Sequence, residues 1–242
     1  EVEQRSAGLK GTESACVFGS GDLANAGIVP VMVGEGDFLL VDELSHSCLW
    51  AGAQLSRARV EKFRHNDVAH VEEILRAHRA GHRHALIVTD GVFSMDGDLA
   101  PLKDLSALGR AHDAWLMSDD AHGLGVLGSG RGTAFAAGAA VDLQLGTLSK
   151  ALGSYGGYVC ASSGVIDLLK TRARTLIYST GLPPASVAAA LAALDIVESE
   201  PELTARPLAK AQAFTRACNL PLATSQIVAV VLGEPLAALE AS

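Results

Sequence analysis

Apolar positions in this chain fall into short continuous runs, and the stretches between them show helical spacing. Runs at 15–18, 38–42, 85–89, 115–118, 141–145 and 157–160 and the short segment 60–63 predict strands, with 85–89 rich in aliphatic residues and 141–145 reading as buried. The segments 23–33, 45–55, 68–80, 102–112 and 165–174 predict helices. In 68–80, Val68, Val71, Ile74 and Leu75 share one face and Gly81 marks the stop. This alternation predicts an α/β fold with a mostly parallel sheet. After Leu182-Pro183-Pro184 the texture changes. Two Ala/Leu-rich helices are predicted at 185–198 and 202–218, then a late strand at 226–232. Pro183-Pro184 is the candidate domain boundary.

Composition narrows the picture. The 242 residues can bury one large core, or one core and part of a second. A formal charge of −8 argues against a general affinity for nucleic acid or for an anionic membrane. Cys16, Cys48, Cys160 and Cys218 show no CxxC and no zinc spacing, so they read as reduced packing residues of a cytosolic protein. No apolar run is long enough to span a bilayer. The chain starts at Glu1 without a methionine and stops at Ser242 in an Ala/Leu-rich, helix-like tail. Both ends read as cut, which predicts a piece of a longer protein.

The chemistry concentrates around Thr147-Leu148-Ser149-Lys150-Ala151-Leu152-Gly153, which follows the apolar run 141–145. Burial there is expected to disfavour the ammonium of Lys150 and to free an amine for Schiff-base formation. Asp119 ends the run 115–118, and His122 follows three residues later. A carboxylate at a strand's C-terminal end faces the crevice where open α/β sheets bind ligands. Strand alternation sends the adjacent Asp120 to the other side. An acid for a pyridinium nitrogen, a donor near a phenolic oxygen and an amine for an aldehyde meet the demands of pyridoxal 5'-phosphate (PLP). Its phosphate needs a helix N-terminus, which Ser20-Gly21-Asp22 supplies, and the Thr147 hydroxyl is a second candidate.

Other patterns compete. Gly19-Ser20-Gly21-Asp22-Leu23-Ala24 matches a dinucleotide fingerprint, with Asp42 ending the next strand where a ribose-binding acid belongs. A dinucleotide-binding oxidoreductase is therefore one alternative, although it leaves Lys150, Asp119 and His122 unexplained. His65, His70, His78, His82 and His84 match no metal spacing. Interleaved with Arg76, Arg79 and Arg83, they read as the solvated cationic end of a helix.

Asp119-Asp120-Ala121-His122-Gly123 together with Gly146–Gly153 resembles the α-oxoamine synthase family of fold-type I PLP enzymes. Leu44-Ser45-His46-Ser47, Phe63-Arg64-His65-Asn66-Asp67, the segment from Gly91 to Asp98, and Ile177–Pro184 agree, so the likeness runs from about 13 to 190. The resemblance implies a seven-stranded-type sheet flanked by helices. It divides the chain into a PLP-binding large domain at 1–184, lacking its N-terminal part, and at 185–242 a linker helix with the start of a small domain. Lys150 would carry PLP as a Schiff base and later move the Cα proton. Asp119 would pair with the ring nitrogen, and His122 and Ser94 would lie on the phenolic oxygen side. His46 would stack on the ring, and Thr147 and the Gly21-Asp22 turn would hold phosphate. Asp22 is a departure, since the family usually has an aromatic there. The implied activity is a decarboxylating acyl transfer by a cytoplasmic homodimer. Leu44-Ser45-His46 and Tyr178-Ser179-Thr180 point to the branch that joins L-alanine to a pimeloyl thioester of CoA or acyl carrier protein. A sister branch using glycine or serine and a non-catalytic dimerising subunit are the alternatives. The segments that would bind the amino-acid carboxylate are expected outside this chain, so the chain alone is expected to be a poor catalyst.

Overall fold

The computed structural model describes residues 1–241. Its elements in chain order are α1 Val2–Lys10, β1 Ser14–Phe18, α2 Gly21–Met32, β2 Phe38–Asp42, α3 Ser47–Ser56, β3 Arg59–Phe63, α4 Val68–His78, β4 Ala85–Asp90, α5 Leu102–Ala111, β5 Trp115–Asp119, α6 Thr133–Ala137, β6 Leu143–Thr147, β7 Gly157–Ala161, α7 Ser163–Arg172, α8 Arg174–Ile177, α9 Pro184–Ser199, α10 Pro201–Ala217 and α11 Pro235–Ala241. The strands form one seven-stranded sheet in the order β1-β7-β6-β5-β4-β2-β3. Only β7 runs against its neighbours; the remaining pairs are parallel.

Both faces of this sheet are covered, which explains the unbroken apolar runs. In β2, Leu39 and Val41 join one core with Ile28, Val29 and Leu49, whereas Phe38 and Leu40 join another with Leu75, Ile87 and Leu105. A third cluster packs α1 and α9 around Tyr158, Leu148 and Leu152. The parallel strands β4, β5 and β6 end together, so the loops after Asp90, Asp119 and Thr147 share one rim.

Two expectations need correction. Residues 226–232 form no strand. A strand needs a partner edge, and this run lies instead beside the loop after β4, where the Ser225 hydroxyl donates to the Gly97 carbonyl at 2.6 Å; Val231 is 86% exposed. The dinucleotide reading also fails. Its fingerprint requires β1 and β2 to be parallel neighbours, yet β1 lies at one end of the sheet and β2 near the other. The Asp42 carboxylate accepts from the backbone N–H groups of Leu44 and Asn66, so it is occupied within the protein.

Candidate active site

A cavity of about 200 Å³ opens on the common strand rim, and its wall contains Gly21, Asp22, His46, Ser94, Asp119, His122, Thr147 and Lys150. Every residue expected at the site from the sequence is therefore brought together. Asp119 ends β5 with its side chain toward α2. There Asn25 Nδ2 donates to Oδ2 at 2.8 Å and the Ala121 N–H donates to Oδ1 at 3.0 Å. Burial pushes its carboxyl up, while these two donors and Lys150 pull it down. Asp120 points the opposite way, as alternation requires. It pairs with Lys10 and accepts from the Thr133 hydroxyl at 2.6 Å.

His122 is pushed down to about 4 by burial, by Lys150 and by His46, so it stands as a neutral imidazole near pH 7. His46 caps α3: its Nδ1 accepts the Cys48 N–H at 3.3 Å. Burial and Asp119 push the Cys48 thiol up to about 12, which keeps it protonated beside that same Nδ1 at 2.8 Å.

At the opposite end of the cavity, the Ser20 hydroxyl accepts the Leu23 N–H and starts α2. A Cβ on Gly21 would lie 2.5 Å from Thr147 Cγ2, so only glycine lets the helix N-terminus approach that threonine. Thr147 Oγ1 is buried and has no partner. An unpaired hydroxyl beside free backbone donors fits a phosphate. With a carboxylate, a neutral imidazole and an amine around the same cavity, the residues present fit PLP.

The structure corrects one premise. Lys150 is exposed, not buried: it sits in the turn after β6, past the covered part of the strand. Its chemistry comes from its place on the cavity wall, next to Asp119 and His122. The histidine cluster also divides. His78, His82 and His84 do lie at the C-terminal end of α4, but His70 sits in its first turn and His65 precedes the helix, where it bridges two carboxylates.

Sequence reasoning missed three residues. Asn25 is wholly buried in α2, and a buried amide on an otherwise apolar helix face was the available signal. Asp90 ends β4 on the cavity wall and accepts the His46 N–H at 2.9 Å. Burial and the neighbouring Asp119 carboxylate push it up to about 7. Cys48 lines the same wall. Asp90 follows an apolar run exactly as Asp119 does, so strand-end position alone could have found it.

Comparison with known proteins decides the family. Residues 1–242 match Aminotransferase class I and II. The chain belongs to that family. An 8-amino-7-oxononanoate synthase from Methylocella silvestris is 69% identical over 100% of this chain and 69% of its own length. One from Beijerinckia indica is 59% identical, with 63% of its length covered. This member of the aminotransferase class I and II family thus spans roughly two thirds of such relatives. Among solved structures, a serine palmitoyltransferase from S. paucimobilis, with bound PLP–myriocin, superposes with a TM-score of 0.90 at 33% identity, covering 97% of this chain and 63% of that one. An 8-amino-7-oxononanoate synthase from Francisella tularensis gives 0.79 at 27%, covering 94% and 67%. The α-oxoamine synthase resemblance holds, and the cofactor of this group is PLP. Among the described residues no helix is long and apolar enough to cross a membrane, and no group of side chains could hold a metal ion.

Proposed function

We propose that the full-length protein condenses L-alanine with a pimeloyl thioester, of CoA or acyl carrier protein, to give 8-amino-7-oxononanoate and CO2 in biotin synthesis. The observation that carries this reading is the single cavity that gathers Lys150, Asp119, His122, His46 and Thr147. The 59–69% identity to synthases of that name supports the alanine branch over a serine-using one, although the serine palmitoyltransferase fold superposes well.

When bound, PLP supplies the carbonyl that captures an amine and the ring that accepts electrons from the amino acid's Cα. The chain's own residues would do the rest. Lys150 Nζ supplies the amine that holds the cofactor and then carries the Cα proton. The Asp119 carboxylate, steadied by Asn25 and the Ala121 N–H, holds a proton on the ring nitrogen. His122 and Ser94 present neutral donors on the phenolic side. His46 covers one ring face, and its place as the cap of α3 fixes the plane of its imidazole. Thr147 Oγ1 and the α2 N-terminus hold phosphate. Asp22 is exposed in the first turn of α2, where its carboxylate opposes a phosphate, so its contribution there is its N–H. Residues 1–184 form the cofactor domain in this reading, and 185–242 lead into a small domain; the working unit is a cytoplasmic homodimer.

Two measurements test it. Borohydride reduction of the PLP-loaded full-length protein, followed by peptide mapping, should place the label on Lys150. A label on Lys170, or none, would remove the PLP assignment. Amino acids titrated into the loaded enzyme should perturb its absorbance at lowest concentration for L-alanine; tighter binding of glycine or serine moves the protein to a sister branch.

A further inference from the structure

The segments Phe63–Asp67 and Gly91–Asp98 contribute only Ser94 to the cavity wall. The structure nevertheless joins them through His65. Its Nδ1 lies 3.0 Å from Asp42 Oδ1, and its Nε2 lies 2.7 Å from Asp98 Oδ2. The ring meets Phe93 edge-on at 4.3 Å between centroids. Asn66, held at φ 56, donates Nδ2 to the same Asp98 oxygen and its N–H to Asp42 Oδ2. Asp42 shapes the turn toward His46: its Oδ1 accepts the Leu44 N–H and its carbonyl accepts the Ser45 N–H. Phe93 and Asp98 flank Ser94 in a loop closed by the Phe93 N–H to the Asp98 carbonyl at 3.0 Å and the Gly97 N–H to the Phe93 carbonyl at 2.9 Å. One imidazole thus spans the two loops that deliver His46 and Ser94.

We propose that His65 is a positioning residue: as an imidazolium donating from both ring nitrogens, it clamps the Ser94 loop to the His46 turn and holds both at the cofactor cavity. The inference rests on the PLP reading of that cavity. A neutral imidazole has one N–H, so it can serve one carboxylate and turns a lone pair on the other. Burial opposes the charge on His65, but the hydrogen bonds to Asp42 and Asp98 outweigh it and raise its pKa above the ordinary value. The other charges nearby are Glu43, whose Oε1 accepts the His65 N–H and whose Oε2 is 3.7 Å from Lys62, and the Arg64–Asp67 pair. Since the folded pKa is raised, the clamp is complete below about pH 6.5 and is lost as pH rises through the raised value.

The test is run on full-length protein, comparing wild type, His65→Gln and Asp98→Asn between about pH 6 and pH 9. Two readouts are taken: amide-exchange protection factors at Phe93 and Gly97 without cofactor, and the Kd for PLP. In wild type both should weaken about 3- to 10-fold with rising pH, the worth of one charge-assisted hydrogen bond at a partly exposed site. His65→Gln should sit at the weak level throughout, with no step in exchange at Phe93 and Gly97. Asp98→Asn should keep a step, moved to lower pH because one of the two raising carboxylates is gone. A wild type without an exchange step at Phe93 and Gly97, or an exchange step there that persists in His65→Gln, overturns the clamp; Asp90, at about 7 on the cavity wall, gives the PLP Kd a pH dependence of its own. The exchange readout needs neither cofactor nor substrate. A failure of the PLP reading would appear at Lys150 labelling and leave it untouched.

Discussion

Behind β5, Lys10 and Asp120 form an ion pair whose side chains are 1% and 2% exposed. Lys10 Nζ also donates to the Arg131 carbonyl at 2.9 Å, and Asp120 accepts from the N–H and hydroxyl of Thr133. Lys10→Met keeps most of the volume but leaves a buried carboxylate facing only Thr133. Removing one partner of a buried pair costs about 3–5 kcal/mol, because the other charge stays desolvated. At about 2–4 °C per kcal/mol for a chain of this size, Tm should fall by about 6–20 °C. Urea unfolding of Lys10→Met, Asp120→Asn and the double variant closes the cycle. The double variant should regain a large part of the loss, since no uncompensated charge remains. A loss below about 1 kcal/mol, or a double variant no more stable than Lys10→Met, would refute this account of the pair.

Asp90 stands at about 7 when folded, against about 3.9 for an unfolded aspartate. Its raised value favours the fold below about pH 4, and that contribution disappears as pH climbs to about 7. Asp90→Asn should therefore stabilise the cofactor-free protein at about pH 8, by at most about 2–4 kcal/mol, and gain nothing at about pH 4; a pH-independent difference in urea unfolding contradicts it. Gly21→Val puts a side chain where Thr147 Cγ2 would lie 2.5 Å from its Cβ. Its Kd for PLP should rise at least about tenfold with an unchanged circular dichroism spectrum, and an unaltered Kd rules out Gly21 and Thr147 as the phosphate seat.

The sheet and the polar rim were legible because the inner strands are buried on both faces, whereas the edge strand β3 is mostly exposed. Every strand expected before residue 161 exists, with boundaries shifted by a residue or two. Asp119 and Asp120 were separable because alternation is a property of the backbone. Less visible was α1, which carries only Val2, Ala7 and Leu9 into the core and depends on α9 to cover them. The strand expected at 226–232 failed for the complementary reason: its apolar residues were read correctly, but strand formation needs a partner, which no single run encodes. Asn25 acts through a contact with a residue far along the chain, so no spacing marks it, whereas Asp90 ends its strand as Asp119 does and was open to the same reasoning. Lys150 does line the cavity, but the premise of its burial was mistaken, since an apolar run says nothing about the turn that ends it.

The electrostatics of the cavity also explain why these residues belong together. Asp90 and Asp119 are both buried, both pushed up and close enough to repel each other. His122 is neutral and so offers no positive charge. Asn25 and the Ala121 N–H solvate Asp119 with dipoles only. Lys150 also lines the cavity wall, and in the proposed reading it would be committed to the cofactor. Two desolvated carboxylates facing neutral donors make a site that gains most from a cation placed between them. In the proposed PLP complex, a protonated ring nitrogen at Asp119 would supply that charge. The same repulsion that pushes both carboxyls up would therefore favour a ring held in its protonated, electron-accepting form.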